Sequence, residues 1–191
     1  MKQILFVILV LFFGGCSYIS AVPSDSGIHT NKEGMQMYWE KVPIHVWYDG
    51  DLEKKVVEQA TLALEHINAL VGTTIFLKPQ KWPGFVAPDS APKGTVLLTK
   101  GYGFKGCVVA ETKKKFMSKS YRITSANVIF YGNEVNSKET FITAVHEFGH
   151  VLGLAHNFDK FSIMNPKIYS APLDKKHLTE KDIALLRKQY L

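Results

Sequence analysis

Apolar residues follow helical spacing in two long stretches of the chain. In the first, apolar side chains recur every three or four residues and predict one buried helical face, formed by Leu52, Val56, Ala60, Ala63, Ile67 and Leu70. Asp51 is the predicted cap of this helix, and Gly72 is its predicted end. In the second stretch, residues 141–154 are largely apolar, which predicts a buried helix with Ser137 as its cap.

Shorter apolar segments predict strands. They cover residues 43–48, 73–78, 95–99, 107–112 and 127–131. The segment between the second and third of these strands, residues 79–94, holds four prolines and predicts a loop. The resulting order of strand, helix, four strands and helix predicts an α+β fold.

The second helix carries the residues with the clearest chemistry. His146 and His150 are four residues apart, so their imidazoles leave the same helical face and can bind one metal ion. Glu147 follows the first of them, where its carboxylate can reach a metal-bound water without binding the metal itself. Gly153 accepts the positive φ that ends a helix, and the turn lets His156 approach the same ion.

These residues fit a catalytic zinc site better than a polar helical face. Histidines and a glutamate within a largely apolar, buried helix need partners, because burying unpartnered polar groups is costly. Three neutral nitrogen ligands and one open coordination position are expected of a catalytic zinc, whereas structural zinc sites are closed. We therefore expect one zinc ion bound by His146, His150 and His156, with Glu147 as the general base.

Met164 follows the third histidine by eight residues, and Pro166 comes two residues later. A histidine motif of this length followed by a turn with a methionine resembles the metzincin zinc metalloproteases. Within that group, residues 153–156, Pro166 and Tyr169 resemble the matrixins, the matrix-metalloprotease-like catalytic domains. Residues 178–190 are similar to the closing helix of that family, and residues 39–48 are similar, more loosely, to its first strand.

The resemblance implies a metzincin-like α+β fold. This fold has a mixed twisted sheet, an N-terminal helix, an active-site helix, a Met-turn and a C-terminal helix. It also implies a zinc-dependent endopeptidase that hydrolyses peptide bonds of protein or peptide substrates. Pro166 and Tyr169 would line the pocket for the residue after the cut, and an edge strand, for which residues 107–112 are the candidate, would pair with the substrate.

The chain also departs from the matrixin pattern. Asn157 stands where matrixins usually have a serine, and no His/Asp loop for a structural zinc or acidic loop for calcium is recognisable. We therefore expect a catalytic zinc but no structural zinc or calcium. Two other roles stay open: a non-catalytic zinc-containing envelope lipoprotein with a binding function, and a peptidase that acts on cell-wall peptides.

The N-terminus predicts export. Residues 4–13 are uninterruptedly apolar, too short to span a bilayer as a mature helix, and typical of a signal peptide. Gly14 and Gly15 directly before Cys16 resemble the lipobox of bacterial lipoproteins, in which the cysteine is lipidated. We expect a signal peptide over 1–15, a lipidated cysteine and tether over 16–36, and a catalytic domain over 37–191. Secretion without an anchor is the alternative.

Cysteine usage and charge add little chemistry. With Cys16 lipidated, Cys107 is a single thiol in an apolar run, which favours a buried small side chain over a nucleophile. The net charge of +6 is concentrated partly in Lys113–Lys115, interpreted as a solvated hairpin tip, with contact to anionic envelope lipids as the alternative. The export signal argues against a nucleic-acid partner, and we expect a monomer.

Overall fold

The computed structural model describes residues 37–102, 109–117, 119–131, 136–167 and 171–191. It combines a mixed sheet with three α-helices, which confirms the predicted α+β fold with its N-terminal helix, active-site helix and C-terminal helix. Among the described residues, no helix is long and apolar enough to cross a membrane.

The sheet has six strands in the part of the chain that the structure describes. They are β1 (Tyr38–Trp39), β2 (His45–Tyr48), β3 (Gln80–Lys81), β4 (Thr95–Lys100), β5 (Ala110–Phe116) and β6 (Arg122–Phe130). Five of them run parallel in the order β1-β6-β4-β2-β3, and β5 pairs with β6 in the antiparallel direction. No described strand pairs with the other edge of β5.

Helix α1 (Lys54–Val71) packs its apolar face into the core. The buried residues are Val56, Ala60, Ala63, Leu64, Ile67 and Val71, close to the predicted stripe, while Leu70 is half-buried. The predicted end is correct, because Gly72 adopts the left-handed conformation with φ of 91°. The predicted cap is wrong: Glu53 precedes the helix and makes no side-chain cap bond, and Asp51 lies in the preceding turn.

Helices α2 (Ser137–Val151) and α3 (Glu180–Tyr190) both begin with a reciprocal capping box. The cap of α2 is Asn136 rather than the predicted Ser137, because the Asn136 side chain accepts the backbone N–H of Glu139 while the Glu139 carboxylate accepts that of Asn136. Ser137 is therefore the first residue of α2. A short 3₁₀ helix (Leu173–Lys175) precedes α3.

Several strand boundaries differ from the sequence-based prediction. Residues 73–78 form no strand, and only Ile44 and Phe76 make an isolated bridge there, whereas β3 lies inside the predicted loop 79–94. The Asn68 side chain, reaching back from α1, binds the backbone of Ile75 and Phe76 and supplies bonds that a neighbouring strand would otherwise make. The described part of the fourth predicted strand begins at Ala110 and continues to Phe116, and β6 begins five residues earlier than predicted.

The core lies between the sheet and the helices and fixes the position of α2. The rings of Phe76 and Phe148 pack with centroids 5.6 Å apart. At the end of the helix, the Trp39 indole donates to the carbonyl of Val151 at 2.9 Å, which joins β1 to α2. Because apolar neighbours cover α2 on most sides, 11 of its 15 residues are buried, the polar ones included.

Candidate metal centre

Three histidine side chains converge at the end of α2. The Nε2 atoms of His146 and His150 are 3.1 Å apart, those of His150 and His156 are 3.0 Å apart, and those of His156 and His146 are 3.3 Å apart. Tetrahedral zinc with Zn–N bonds of 2.0–2.1 Å requires nitrogens about 3.3 Å apart. The three predicted ligands therefore fit one zinc ion, and all three are buried.

Backbone carbonyls orient two of these imidazoles. The Nδ1 atom of His146 lies 2.6 Å from the carbonyl oxygen of Ile163, and that of His150 lies 2.9 Å from the carbonyl oxygen of Leu154. A carbonyl can only accept, so each Nδ1 carries the proton and each Nε2 presents a lone pair. This tautomer is the one that metal binding through Nε2 requires.

Burial keeps the imidazoles of His146 and His156 neutral. It lowers the pKa of His146 to about 4, although the hydrogen bond to Ile163 opposes the shift. It lowers the pKa of His156 to about 3, with further contributions from the charges of His146 and Lys114. A histidine must be neutral to bind a metal ion, so the pocket favours the binding-competent form at neutral pH.

Gly153 makes the turn that brings His156 to the other two ligands. Its φ is 95°, and its N–H bonds the carbonyl of His150 at 3.0 Å, as expected of the residue that follows a helix end. A Cβ at this position would lie 2.4 Å from the carbonyl oxygen of Met37. Glycine is therefore required both for the backbone conformation and for the close approach of the β1 segment.

Met164 is fully buried against the active-site helix. A Cβ added to Gly149 would lie only 2.5 Å from the Met164 sulfur, so the missing side chain of Gly149 makes room for the methionine. The backbone N–H of Met164 donates to the Ser162 hydroxyl at 3.0 Å, and its carbonyl accepts the N–H of Asn157 at 3.0 Å. These bonds fix the turn next to the third histidine.

Glu147 has a buried carboxylate beside the three histidines. The Thr112 hydroxyl on β5 lies 2.6 Å from Oε2 of Glu147 and donates to it. Burial raises the pKa of Glu147 to about 7; the Thr112 hydrogen bond lowers it, Glu111 raises it, and Lys114 lowers it. A carboxyl group with a pKa near neutrality is suited to accept and return a proton at physiological pH.

The interpretation of Lys113–Lys115 as a hairpin tip is wrong. All three are residues of strand β5, and alternation along the strand leaves Lys113 and Lys115 exposed while it turns Lys114 toward α2. The Lys114 ammonium donates to the carbonyl of His150 at 2.7 Å, and burial lowers its pKa to about 7 against the attraction of Glu147. Sequence analysis missed both Thr112 and Lys114. The available signal was their spacing of two residues, which places both side chains on the same face of a strand.

Asn157, the departure from the matrixin pattern, has a structural role. Its side-chain amide lies 2.8 Å from the Ser162 hydroxyl and 3.4 Å and 3.5 Å from the two carboxylate oxygens of Asp182. Asp182 is itself buried and accepts the backbone N–H and the hydroxyl of Thr179. Asn157 therefore connects the third-histidine segment to the Met164 turn and the start of α3.

The remaining predicted residues are less informative. Pro166 follows the buried Asn165 and is half-buried at the end of the Met164 turn. Tyr169, Cys16 and Cys107 lie outside the described residues, so their predicted roles stay predictions. His66 packs against the ring of Phe141 and does not join the metal ligands.

Within the described ranges, His146, His150 and His156 form the one group of three or more metal-binding side chains that could share an ion. The absence of a structural zinc or calcium site stays a prediction. Two histidines on a buried helix, a third after a glycine turn and a methionine turn beyond it define a metzincin-type metal site on an α+β fold.

Comparison with protein families gives the same class. The matrixin family model matches residues 49–191, which is most of the chain. The protein belongs to the matrixin family, whose members are zinc-dependent metallopeptidases. Comparison with curated proteins found none that matches.

Proposed function

We propose that the protein is a zinc-dependent endopeptidase that hydrolyses peptide bonds of extracytoplasmic protein substrates, with Glu147 as its general base. One observation supports this proposal most directly: three imidazole nitrogens lie 3.0–3.3 Å apart next to a buried carboxylate. A metal site with a purely structural role has no need of such a carboxylate or of an open coordination position.

The chain's own side chains divide the work of the reaction. His146, His150 and His156 would hold the zinc ion, which when bound supplies Lewis-acid activation of water and of the scissile carbonyl. Glu147 takes the proton of the attacking water and passes it to the departing amine. Because Pro166 occupies the position two residues after the methionine, no tyrosine there assists the reaction.

The substrate would lie along the edge of β5 that faces away from β6. No other described strand lies there, and an extended peptide can add to such an edge as a further strand. Pro166 and Tyr169 would line the pocket for the residue after the cut. The termini of the cleavage products would define the side chain that this pocket prefers.

We propose further that the protein is exported and anchored to the bacterial cell envelope through a lipid on Cys16. The supporting observation is the apolar segment 4–13 followed by Gly-Gly-Cys. The anchor would make the membrane its partner, and the catalytic domain would act as a monomer with no nucleic-acid partner. Mass spectrometry of the mature N-terminus tests this location, since release of an unmodified chain cut beyond Cys16 would instead identify a secreted protein.

Cleavage of a denatured protein mixture by the purified full chain tests the proposed activity. Glu147→Gln should bind zinc in the same 1:1 ratio as the wild type but lose cleavage about 10²- to 10⁴-fold. Glu58→Gln, on the exposed face of α1, is the matched control and should cleave like the wild type. A zinc-loaded wild type that cleaves neither proteins nor cell-wall peptides would favour a binding role, and a chain that takes up no zinc would contradict the proposal.

A further inference from the structure

Two side chains of β5 reach the active-site helix at separate points. The Thr112 hydroxyl contacts the Glu147 carboxylate at 2.6 Å, and the Lys114 ammonium contacts the His150 carbonyl at 2.7 Å. Residues two apart on a strand point to the same face, and residues three apart on a helix are neighbours on its surface. The two contacts therefore fix the register of β5 against α2 at the general base and at a metal ligand.

The Thr112 hydroxyl has a single proton and two acceptors within reach. Glu147 Oε2 is 2.6 Å away, and the Glu147 backbone carbonyl is 3.1 Å away. When Glu147 is in the ionised form that acts as a base, its carboxylate makes the shorter and stronger contact, so the Thr112 proton goes to the carboxylate. With Oε2 bound in this way, Oε1 is the oxygen left to take a proton from the attacking water.

Lys114 is placed where its charge has a specific partner. The Lys114 side chain extends from β5 to the last turn of α2. The helix dipole and the terminal carbonyls favour a cation there. The neighbouring Lys115 instead contacts the Ser90 hydroxyl on the surface. The Lys114 side chain is half-buried, and an ammonium withdrawn from water needs a hydrogen-bond acceptor, which the His150 carbonyl supplies.

From these contacts we infer that Thr112 and Lys114 are positioning residues: Thr112 holds the Glu147 carboxylate with one oxygen toward the reacting water, and Lys114 holds the metal-binding turn of α2 against β5. The inference rests on the proposed peptidase activity for the role of Thr112. The role of Lys114 can be tested without any activity.

Steady-state cleavage by the purified full chain tests Thr112. Thr112→Val keeps the shape of the side chain but removes its proton, and kcat should fall about tenfold to a hundredfold while KM and bound zinc stay the same. Thr112→Ser restores the donor and should recover most of kcat. Thr124→Val is the matched control, because the Thr124 hydroxyl binds the Lys115 carbonyl away from Glu147. Should Thr112→Val not fold, Thr112→Ala replaces it.

The kinetic outcomes separate this inference from the proposed function. An active wild type with unchanged kcat in Thr112→Val, or a Thr112→Ser variant as slow as Thr112→Val, would overturn the positioning role alone. A wild type with no cleavage would overturn the proposed activity and the role of Thr112 with it.

Amide hydrogen exchange of the metal-free full chain tests Lys114. Lys114→Met removes the ammonium and keeps most of the aliphatic stem, so the amides of Leu152, Gly153 and Leu154 should exchange about tenfold faster or more. Lys115→Met should leave them unchanged, because the exposed Lys115 ammonium contacts the Ser90 hydroxyl on the surface. Equal exchange in the wild type and in Lys114→Met would overturn the role of Lys114.

Discussion

Helices α1 and α2 pack side by side in one core and solve different problems. α1 buries six of its 18 residues, all apolar, and leaves polar side chains in solvent. α2 buries 11 of its 15 residues, among them His146, Glu147 and His150. Burial of apolar residues stabilises α1, whereas burial of ionisable groups costs free energy in α2. The comparison shows that α2 is less stabilised by burial than α1 because it holds a preformed site. Hydrogen bonds from β5 and from the Met164 turn offset part of the free-energy cost of burying its ionisable groups.

Alanine substitutions at the C-terminal ends of α1 and α2 give the largest expected difference in the free energy of unfolding. Gly72 and Gly153 have similar φ values of 91° and 95°, but a Cβ on Gly72 meets nothing within 4 Å, whereas one on Gly153 lies 2.4 Å from the Met37 carbonyl oxygen. Gly72→Ala should lower the free energy of unfolding by about 1–2 kcal/mol. Gly153→Ala should lower it by more than about 4 kcal/mol and abolish zinc binding.

Denaturant unfolding and zinc titration of both variants measure this difference. Equal losses of stability in the two glycine variants would show that backbone strain alone, and not contact with the β1 segment, determines the cost.

Replacing the buried Glu147 carboxylate should stabilise the protein, in contrast to the glycine substitutions, and the gain should depend on pH. The folded-state pKa of Glu147, about 7, is raised above its ordinary value of 4.5, so its contribution to stability is fully present below pH 4.5 and is lost as the pH rises through 7. Glu147→Gln should therefore stabilise the metal-free protein at pH 8 by about 3 kcal/mol and leave it nearly unchanged at pH 4.5.

Thermal unfolding in the presence of a chelator at the two pH values measures this effect. The two proteins differ only at the Glu147 side chain, so the difference between them reports its carboxyl group together with its attraction to Lys114. Glu58→Gln on α1 serves as the control and should show no pH-dependent gain. A gain in Glu147→Gln of the same size at both pH values would contradict the assignment to carboxylate burial.

Gly149 provides a smaller test of packing in α2. Alanine is normally better than glycine inside a helix, but a Cβ here would lie 2.5 Å from the Met164 sulfur. Gly149→Ala should therefore destabilise the protein by about 1–3 kcal/mol. In the double variant with Met164→Ala, the two losses should be less than additive, because the second change removes the clashing sulfur. Strict additivity in denaturant unfolding would refute the contact.

Substitutions of the N-terminal cap residues of α2 and α1 give the smallest expected difference in the free energy of unfolding. Asn136→Ala removes the side-chain bond to the Glu139 N–H and should lower the free energy of unfolding by about 1 kcal/mol. Glu53→Gln at the start of α1 removes no cap bond and only a partly exposed ion pair with Lys100, whose N and O atoms are 3.6 Å apart, so it should change stability by less than about 0.5 kcal/mol. Denaturant unfolding of the two variants side by side resolves this difference, and equal losses would contradict it.

The elements predicted best are those whose signal lies in the local pattern. The stripe from Val56 to Ile67 and the end at Gly72 follow from helical spacing and from glycine's tolerance of positive φ. The predicted strand at 73–78 failed because Asn68, part of another element, binds that backbone instead. The predicted cap Ser137 is wrong by one residue, because both Ser and Asn can cap a helix and only the extended backbone of Asn136 marks it as the cap.

The sequence by itself determined the chemistry of the centre, because the offsets among His146, Glu147, His150, Gly153 and His156 allow one helix and one turn to bring three imidazoles and a carboxylate together. Only the tertiary structure decided how that centre is supported. Thr112 and Lys114 lie about 35 residues from their partners in sequence, and local periodicity carries no information about contacts across that distance. Chain folding places β5 against α2, where burial raises the pKa of Glu147 and the Thr112 hydroxyl donates to its carboxylate.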